Sequence, residues 1–241
     1  MREIFRLSAG VVAPERKSVL ELQGIPRRVD PPARIIGILD KASEIFSSLA
    51  EPRGLMETVT GEEFAGIYFG EGRNEPETPL QFIYPQASTL VLFTVTVGAQ
   101  VCERIRELFA VNEPALGYML DSVASAAADK AVDLAAERLM LKLREENHTD
   151  PVPEILPYSP GYCGWHISGQ RRLFDRLRPE EIGMTLNDSF LMIPLKSVSG
   201  ALIAGSAAIH VFDDDFSFCS TCTTHGCRER ITQMLRKHTA N

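Results

Sequence analysis

The chain has 241 residues, which suits one elaborated domain, because domains commonly hold about 150 residues. The composition is that of a globular protein, with 44% hydrophobic and 24% charged residues. The 25 basic and 32 acidic residues give a net charge of −7, which argues against a general nucleic-acid-binding surface. Five cysteines are too few for a disulfide scaffold of this length.

The amino-terminal segment lacks the apolar core and cleavage site of a signal peptide, and no apolar run is long enough to cross a bilayer. We therefore expect a cytoplasmic protein with no membrane partner. In that compartment, clustered cysteines bind metals or carry out redox chemistry more often than they form structural disulfides.

Hydrophobic spacing predicts a chain of mixed helices and strands. The β-branched segment 89–97 is the clearest strand, and 115–146 is the strongest helix. In chain order the predicted elements are a strand within 3–23, a helix over 32–50, a polar loop over 70–88, a strand over 89–97, helices over 99–109, 115–146 and 170–178, and strands over 189–195 and 201–212 joined by LKSVSG.

The long predicted helix is rich in alanine between Ala124 and Ala136. Small side chains allow either close packing against another element or close approach of a ligand. Asp129 and Asp133 lie one turn apart and share a face, which is either a solvated surface beside Lys130 or part of a site.

Segment 150–169, DPVPEILPYSPGYCGWHISG, has four prolines and three glycines, which predicts a long ordered loop. It carries two tyrosines, a cysteine, a histidine and the single tryptophan of the chain. Aromatic and polar side chains on a stiffened backbone favour ligand binding, whereas most loops of this kind are only connections.

These segments resemble the activation domain of cobalamin-dependent methionine synthase over about residues 88–203. The shared features are a Pro-Gly-Tyr loop, a histidine a few residues later, a helix, a Gly-Met turn, and Ser-Phe-x-Met-x-Pro and Ser-Val-Ser-Gly runs. LFTVTVGAQV and AAADKAVDLAAERL also match the strand and long helix of the family. The later features correspond here to SPGYCGWH at 159–166, GMTL at 183–186, SFLMIP at 189–194 and SVSG at 197–200.

The resemblance implies an α+β fold, a C-shaped activation domain with a twisted antiparallel sheet and flanking helices. Residues 86–212 are then the activation-domain core, and residues 1–85 an amino-terminal extension of the same domain. Residues 213–241 form a cysteine-rich tail.

The implied function is a stand-alone reactivation module. Such a module binds S-adenosylmethionine and presents it to an inactive cob(II) corrinoid, the cobalamin cofactor of a separate corrinoid protein or a split methionine synthase. One electron from a low-potential donor reduces the cobalt, and methyl transfer traps it as methylcobalamin. The unfavourable reduction is thereby coupled to a methylation that is effectively irreversible.

The resemblance also implies roles for individual residues. Asp133 matches an acidic residue near the cationic end of S-adenosylmethionine, where a carboxylate would pair with the ammonium group. Ser159, Gly161 and Tyr162 match the segment that contacts the adenosyl group. Tyr162 and His166 are the candidate catalytic residues, with Tyr162 facing the corrinoid near its cobalt.

Two positions depart from the family pattern. The family has an arginine that holds the methionine carboxylate, and the matching residue here is Pro157. Arg171 or Arg172 could take its place. The aromatic segment that follows Ser-Val-Ser-Gly in the family is replaced by ALIAGSAAI.

The tail sequence FSFCSTCTTHGCRERI predicts a metal loop formed by Cys219, Cys222 and Cys227. Cys163, His225 or an external group could complete the site, and the thiolates suit an iron–sulfur cluster or zinc. A second function is then a redox or scaffold partner of a corrinoid methyltransferase, without methyl transfer. Structural zinc binding within a methyltransferase complex and unliganded or redox-active thiols are the simpler alternatives.

Overall fold

The computed structural model describes residues 1–147 and 152–211. Helices and strands alternate along this part of the chain, as the hydrophobic spacing predicts. The helices are α1 (Ala9–Val12), α2 (Arg16–Leu22), α3 (Ala33–Leu49), α4 (Gly61–Phe69), α5 (Pro79–Ile83), α6 (Ala99–Ala110), α7 (Pro114–Asn147) and α8 (Gly169–Leu177). The strands are β1 (Arg2–Arg6), β2 (Arg53–Val59), β3 (Thr89–Thr96), β4 (Glu154–Tyr158), β5 (Thr185–Leu186), β6 (Met192–Ile193) and β7 (Ser197–Gly205).

Five strands form one sheet in the order β1-β2-β3-β7-β4, and every neighbouring pair is antiparallel. β5 and β6 pair separately as a short hairpin. The first 85 residues supply β1 and β2 and therefore one edge of the sheet. The predicted α+β architecture, an antiparallel sheet with flanking helices, is confirmed.

The sheet separates two layers of apolar side chains. Successive residues of a strand point to opposite faces, so Val91, Phe93 and Val95 of β3 pack with α3, α6 and α7. Leu90 and Leu92 pack in the other layer with α4, α5 and α8. We call these the α7 layer and the α8 layer.

The alanine-rich part of α7 lies against the sheet. Its buried alanines let the helix backbone approach the strands closely, which favours close packing over the ligand interpretation for this face. They are Ala124, Ala127, Ala128, Ala131 and Ala135.

Two sequence predictions about the later strands were wrong. β4 lies within the segment predicted to be a loop. Among the described strands it pairs with β7 alone and so forms an edge, where a proline such as Pro157 is tolerated. Ser197–Gly200 belongs to β7, although LKSVSG was expected to be a connection. Small polar residues are acceptable there because this stretch pairs with β3, an extended strand in the middle of the sheet.

The remaining differences are smaller. The strand expected within 3–23 ends at Arg6, and α1 and α2 follow. Only Met192–Ile193 of the predicted 189–195 strand pairs, and β7 ends at Gly205 rather than at residue 212. Within residues 1–147 and 152–211, no helix has the length and apolar character that a membrane crossing requires.

Candidate functional site

The site begins where the chain leaves β4 and passes over β7. A Cβ atom at Gly200 would overlap the carbonyl oxygen of Tyr158 and would lie 3.0 Å from Oγ of Ser159. By the alternation of β7, Gly200 faces the α7 layer, as Val198 and Leu202 do. The Ser-Val-Ser-Gly strand thus approaches the two residues that precede the Pro-Gly-Tyr turn so closely that only glycine fits there.

The Pro-Gly-Tyr segment forms a tight turn. The Tyr162 amide donates to the Ser159 carbonyl oxygen (3.1 Å), and the Gly161 amide donates to the Trp165 carbonyl oxygen (2.7 Å). Gly161 has a φ of 96°, a conformation that favours glycine. The turn leaves Tyr162 39% exposed, so its ring is accessible to a ligand or partner.

Beyond the turn, the loop enters the α8 layer. Trp165 is 1% exposed, and its ring meets the edge of Phe64 at a centroid distance of 5.7 Å. Cys163 is also buried in this layer. The aromatic residues predicted to bind a ligand therefore divide between two roles, because Trp165 anchors the loop while Tyr162 is accessible.

Segment 74–78 holds the loop from the side. The Asn74 Oδ1 atom accepts the His166 amide (2.9 Å), and the Glu75 amide donates to the Gly164 carbonyl oxygen (3.2 Å). Gly164 has a φ of 75°, and a Cβ atom there would overlap the side chain of Thr78. Sequence reasoning missed these residues because the segment looks like an ordinary polar loop; the isolated Asn between glycine and proline was the only signal.

His166 is half-buried, and its ring contacts Ser168 two residues later. The Ser168 amide donates to Nδ1 of His166 (3.2 Å), and the Ser168 Oγ atom lies 2.9 Å from the same nitrogen. Ser168 is fully buried. The ring that sequence analysis selected as catalytic is thus held in one orientation.

Asp133 lies on the exposed side of α7 and lines a cleft of about 360 Å³ between α7 and α2. The cleft is rich in carboxylates, and its one cationic side chain is Lys130, whose Nζ donates to the Ala13 carbonyl oxygen (3.1 Å). Its lining residues are Pro14, Glu15, Ser18, Leu22, Ala126, Asp129, Lys130, Asp133, Leu134 and Glu137.

The cleft and the loop are separate features of the molecule. Ser159 starts the loop over the α7-facing side of β7, whereas Asp133 lines the cleft on α7 itself. The lining of the cleft includes none of Ser159, Gly161, Tyr162 and His166.

The arginines considered as substitutes at the Pro157 position both contact Glu71. The Nε atom of Arg172 lies 3.6 Å and the Nη1 atom of Arg171 4.0 Å from this carboxylate. The Arg171 guanidinium also lies over the Phe190 ring, 5.0 Å from its centroid. Both arginines belong to α8 and neither lines the Asp133 cleft, whose lining among the described residues includes the cation Lys130.

Tyr158, the last residue of β4, has a buried partner. Its hydroxyl lies 2.9 Å from Nδ1 of His210, and both side chains are almost completely buried. Burial lowers the pKa of His210 to about 4, so the ring is neutral at neutral pH. This contact ties the start of the loop to the segment that follows β7.

The predicted metal ligands Cys219, Cys222 and Cys227, with His225 between them, lie outside the described residues. Cys163, the fourth candidate, is buried beneath the Pro-Gly-Tyr turn. Within residues 1–147 and 152–211, no group of three or more histidine, cysteine, aspartate or glutamate side chains could hold a metal ion. An iron–sulfur cluster or zinc therefore has no support from this part of the chain.

Two comparisons relate this chain to known proteins. A family model described as vitamin B12 dependent methionine synthase, activation domain, matches residues 73–213. The crystal structure of the MetH reactivation domain bound to AdoHcy shares the fold, with a TM-score of 0.65 and 15% sequence identity. That alignment covers 98% of this chain and 88% of the other. No curated protein matches the sequence.

The family match includes segment 74–78, the loop after β4 and the Ser-Val-Ser-Gly strand. It extends over more than half of the chain. The chain therefore belongs to the family of activation domains of vitamin B12-dependent methionine synthases.

Proposed function

We propose that this protein reactivates a corrinoid protein by presenting S-adenosylmethionine to its cobalt. The observation that carries the proposal is the close approach of Gly200, in the Ser-Val-Ser-Gly strand, to Tyr158 and Ser159, which lead into the Pro-Gly-Tyr turn. Both segments lie within the family match, and together they expose Tyr162 at the end of the sheet.

The charges of the Asp133 cleft suit the methionine end of S-adenosylmethionine. Asp129 and Asp133 offer carboxylates to its ammonium and sulfonium groups. Lys130 would pair with the carboxylate of the ligand. In the family, an arginine at the position of Pro157 has this role. AdoHcy, the demethylated product, is bound in the related MetH reactivation domain.

In this proposal the adenosyl group extends from the cleft toward Ser159 and Gly161. Tyr162 and His166 then face the corrinoid. When bound, S-adenosylmethionine supplies an electrophilic methyl group, and one electron from an external low-potential donor prepares the cobalt to accept it. The residues of this chain bind and orient the donor and limit the access of water to the methyl group.

The corrinoid is supplied by a partner, either a separate corrinoid protein or the rest of a split methionine synthase. We further propose that residues 1–85 are part of the same domain as residues 86–212, since the two regions share one sheet. The proposed tail, residues 213–241, lies outside the described residues.

Calorimetric titration with S-adenosylmethionine and with AdoHcy tests the binding step. We expect saturable binding of both ligands, because the acidic cleft and the turn recognise groups that the two share. Absence of binding for both ligands would remove the methyl-donor role. Reduction of a corrinoid protein by the chain without ligand consumption would instead favour the redox-partner function.

A further inference from the structure

The hydrogen bonds around His166 determine which ring nitrogen carries a proton. The Ser168 amide can only donate, so Nδ1 of His166 is an acceptor in this contact. The proton of the neutral ring must then be on Nε2. Among the described residues, none makes a hydrogen bond to Nε2, which leaves this atom available as a donor.

The backbone of His166 is held as firmly as its ring. The His166 amide donates to Oδ1 of Asn74 (2.9 Å). The Nδ2 atom of Asn74 donates in turn to the Tyr68 carbonyl oxygen (2.6 Å). Tyr68 lies on α4, and its buried ring packs beside Trp165 with 5.8 Å between centroids. One half-buried amide side chain therefore joins the loop to a helix of the α8 layer.

We propose that Asn74 and Ser168 are positioning residues, which fix the backbone and the ring of His166 so that a neutral imidazole presents its Nε2–H group to the corrinoid partner. The inference rests on the proposed function and assigns a task to two residues outside the Pro-Gly-Tyr loop motif. A fixed Nε2–H group suits a hydrogen-bond acceptor, such as a carboxamide oxygen on the periphery of a corrin ring or a water molecule near the cobalt.

The geometry explains why two separate segments are needed. Ser168 is two residues from His166 and can set only the local ring orientation, whereas Asn74 is 92 residues away and sets where the loop lies. Small errors in the placement of a reacting or contacting group are costly for catalysis. Loss of either contact should therefore reduce turnover more than ligand affinity, since neither residue lines the Asp133 cleft.

The test compares Asn74→Ala, Asn74→Asp and Ser168→Ala with wild type. Asn74→Asp retains the acceptor for the His166 amide but loses the donor to the Tyr68 carbonyl oxygen, so it should restore only part of the activity that Asn74→Ala loses. Ser47→Ala, at an exposed serine on α3, is the matched control. Calorimetric affinity for AdoHcy and thermal unfolding confirm that each variant is folded.

Two measurements distinguish a role in positioning His166 from an effect on protein stability alone. Nitrogen-15 NMR of the His166 ring at alkaline pH reports the tautomer, and reactivation of a cob(II) corrinoid protein gives kcat and KM separately. We expect about a tenfold fall in kcat for Asn74→Ala and Ser168→Ala. Ser168→Ala should also increase the Nδ1–H tautomer, since it removes one of the two contacts at Nδ1.

Wild-type kcat and an unchanged tautomer in both alanine variants would overturn the positioning role. Wild-type protein that fails to reactivate any corrinoid would overturn the proposed function instead. In that case an unchanged tautomer in Ser168→Ala would overturn the positioning role as well, whereas a shifted tautomer would leave the ring-orienting contact supported.

Discussion

At the scale of single residues, Gly200 makes the clearest prediction. A methyl group there would overlap the Tyr158 carbonyl oxygen, a backbone atom that cannot move without distorting β4. Gly200→Ala should therefore lower the free energy of unfolding by about 3 kcal/mol. Chemical denaturation measures the change.

The matched control is Gly37→Ala, because Gly37 lies inside α3 with no atom near the Cβ position. Alanine is the better helix former, so this variant should be stabilised by up to about 1 kcal/mol. Equal free energies of unfolding for the two variants would contradict the overlap expected between a side chain at Gly200 and the Tyr158 carbonyl oxygen.

Asp133 tests the ligand-binding cleft. If its carboxylate pairs with the ammonium group of S-adenosylmethionine, Asp133→Ala should weaken binding by roughly 1–3 kcal/mol. Asp30→Ala, at an exposed position between α2 and α3, should bind as wild type does. Calorimetric titration measures the affinity of both variants for S-adenosylmethionine. Wild-type affinity in Asp133→Ala would exclude this residue from the site.

His210 predicts how stability depends on pH. Its pKa is about 4 in the folded protein and 6.5 for the ordinary side chain. Between these values the unfolded state binds more protons, so stability falls as the pH decreases from 6.5 to 4, by up to roughly 3 kcal/mol. Below pH 4 both states are protonated, and this contribution no longer changes.

Unfolding of His210→Gln at a series of pH values checks this prediction. The variant should lose much of the wild-type slope between pH 4 and 6.5. The same slope in wild type and His210→Gln would mean that other groups cause the acid sensitivity.

At the scale of elements, α4 supports the loop through Phe64 and Tyr68. Its first turn is closed by a capping box, in which the Glu63 amide donates to Oγ1 of Thr60 (3.1 Å) and the Thr60 amide donates to the Glu63 carboxylate (2.8 Å). Thr60→Ala should cost about 1 kcal/mol in the free energy of unfolding. Thr60→Ser keeps the hydroxyl and should cost much less; an equal loss in both variants would argue against the cap.

Some helices and strands could be predicted from local sequence, and others could not. α3, β3 and α7 were predicted because their hydrophobic periodicity is long and uninterrupted. β4 was missed because its prolines indicate a loop unless the neighbouring strand is known. Segment 74–78 was missed because its role comes from contacts with residues about 90 positions later, which no local pattern contains.

The residues of the site were also predicted only in part. Tyr162 and His166 were selected from a resemblance, and the structure gives them an exposed ring and a held imidazole. Asn74 and Ser168 are polar residues in a loop, and sequence alone offers no reason to distinguish them from their neighbours. The roles of Asp133, Ser159 and Gly161 stay predictions.

At the scale of the whole molecule, we assign the two faces of the sheet to different functions. The α7 layer carries the acidic cleft proposed for S-adenosylmethionine, and the α8 layer anchors the loop that carries Tyr162 and His166. The loop passes from one layer to the other at the end of the sheet. The proposed donor site and the proposed corrinoid-facing residues lie on different elements, on α7 and on the loop after β4.

The most direct test is an anaerobic reactivation assay. The chain is mixed with a cob(II) corrinoid protein, S-adenosylmethionine and a low-potential reductant, while visible spectra follow the corrinoid and chromatography measures AdoHcy. The account predicts methylation of the corrinoid with one AdoHcy formed per cobalt, dependent on the chain and abolished without S-adenosylmethionine. A corrinoid that stays in the cob(II) state, or that is methylated equally fast without the chain, would contradict it.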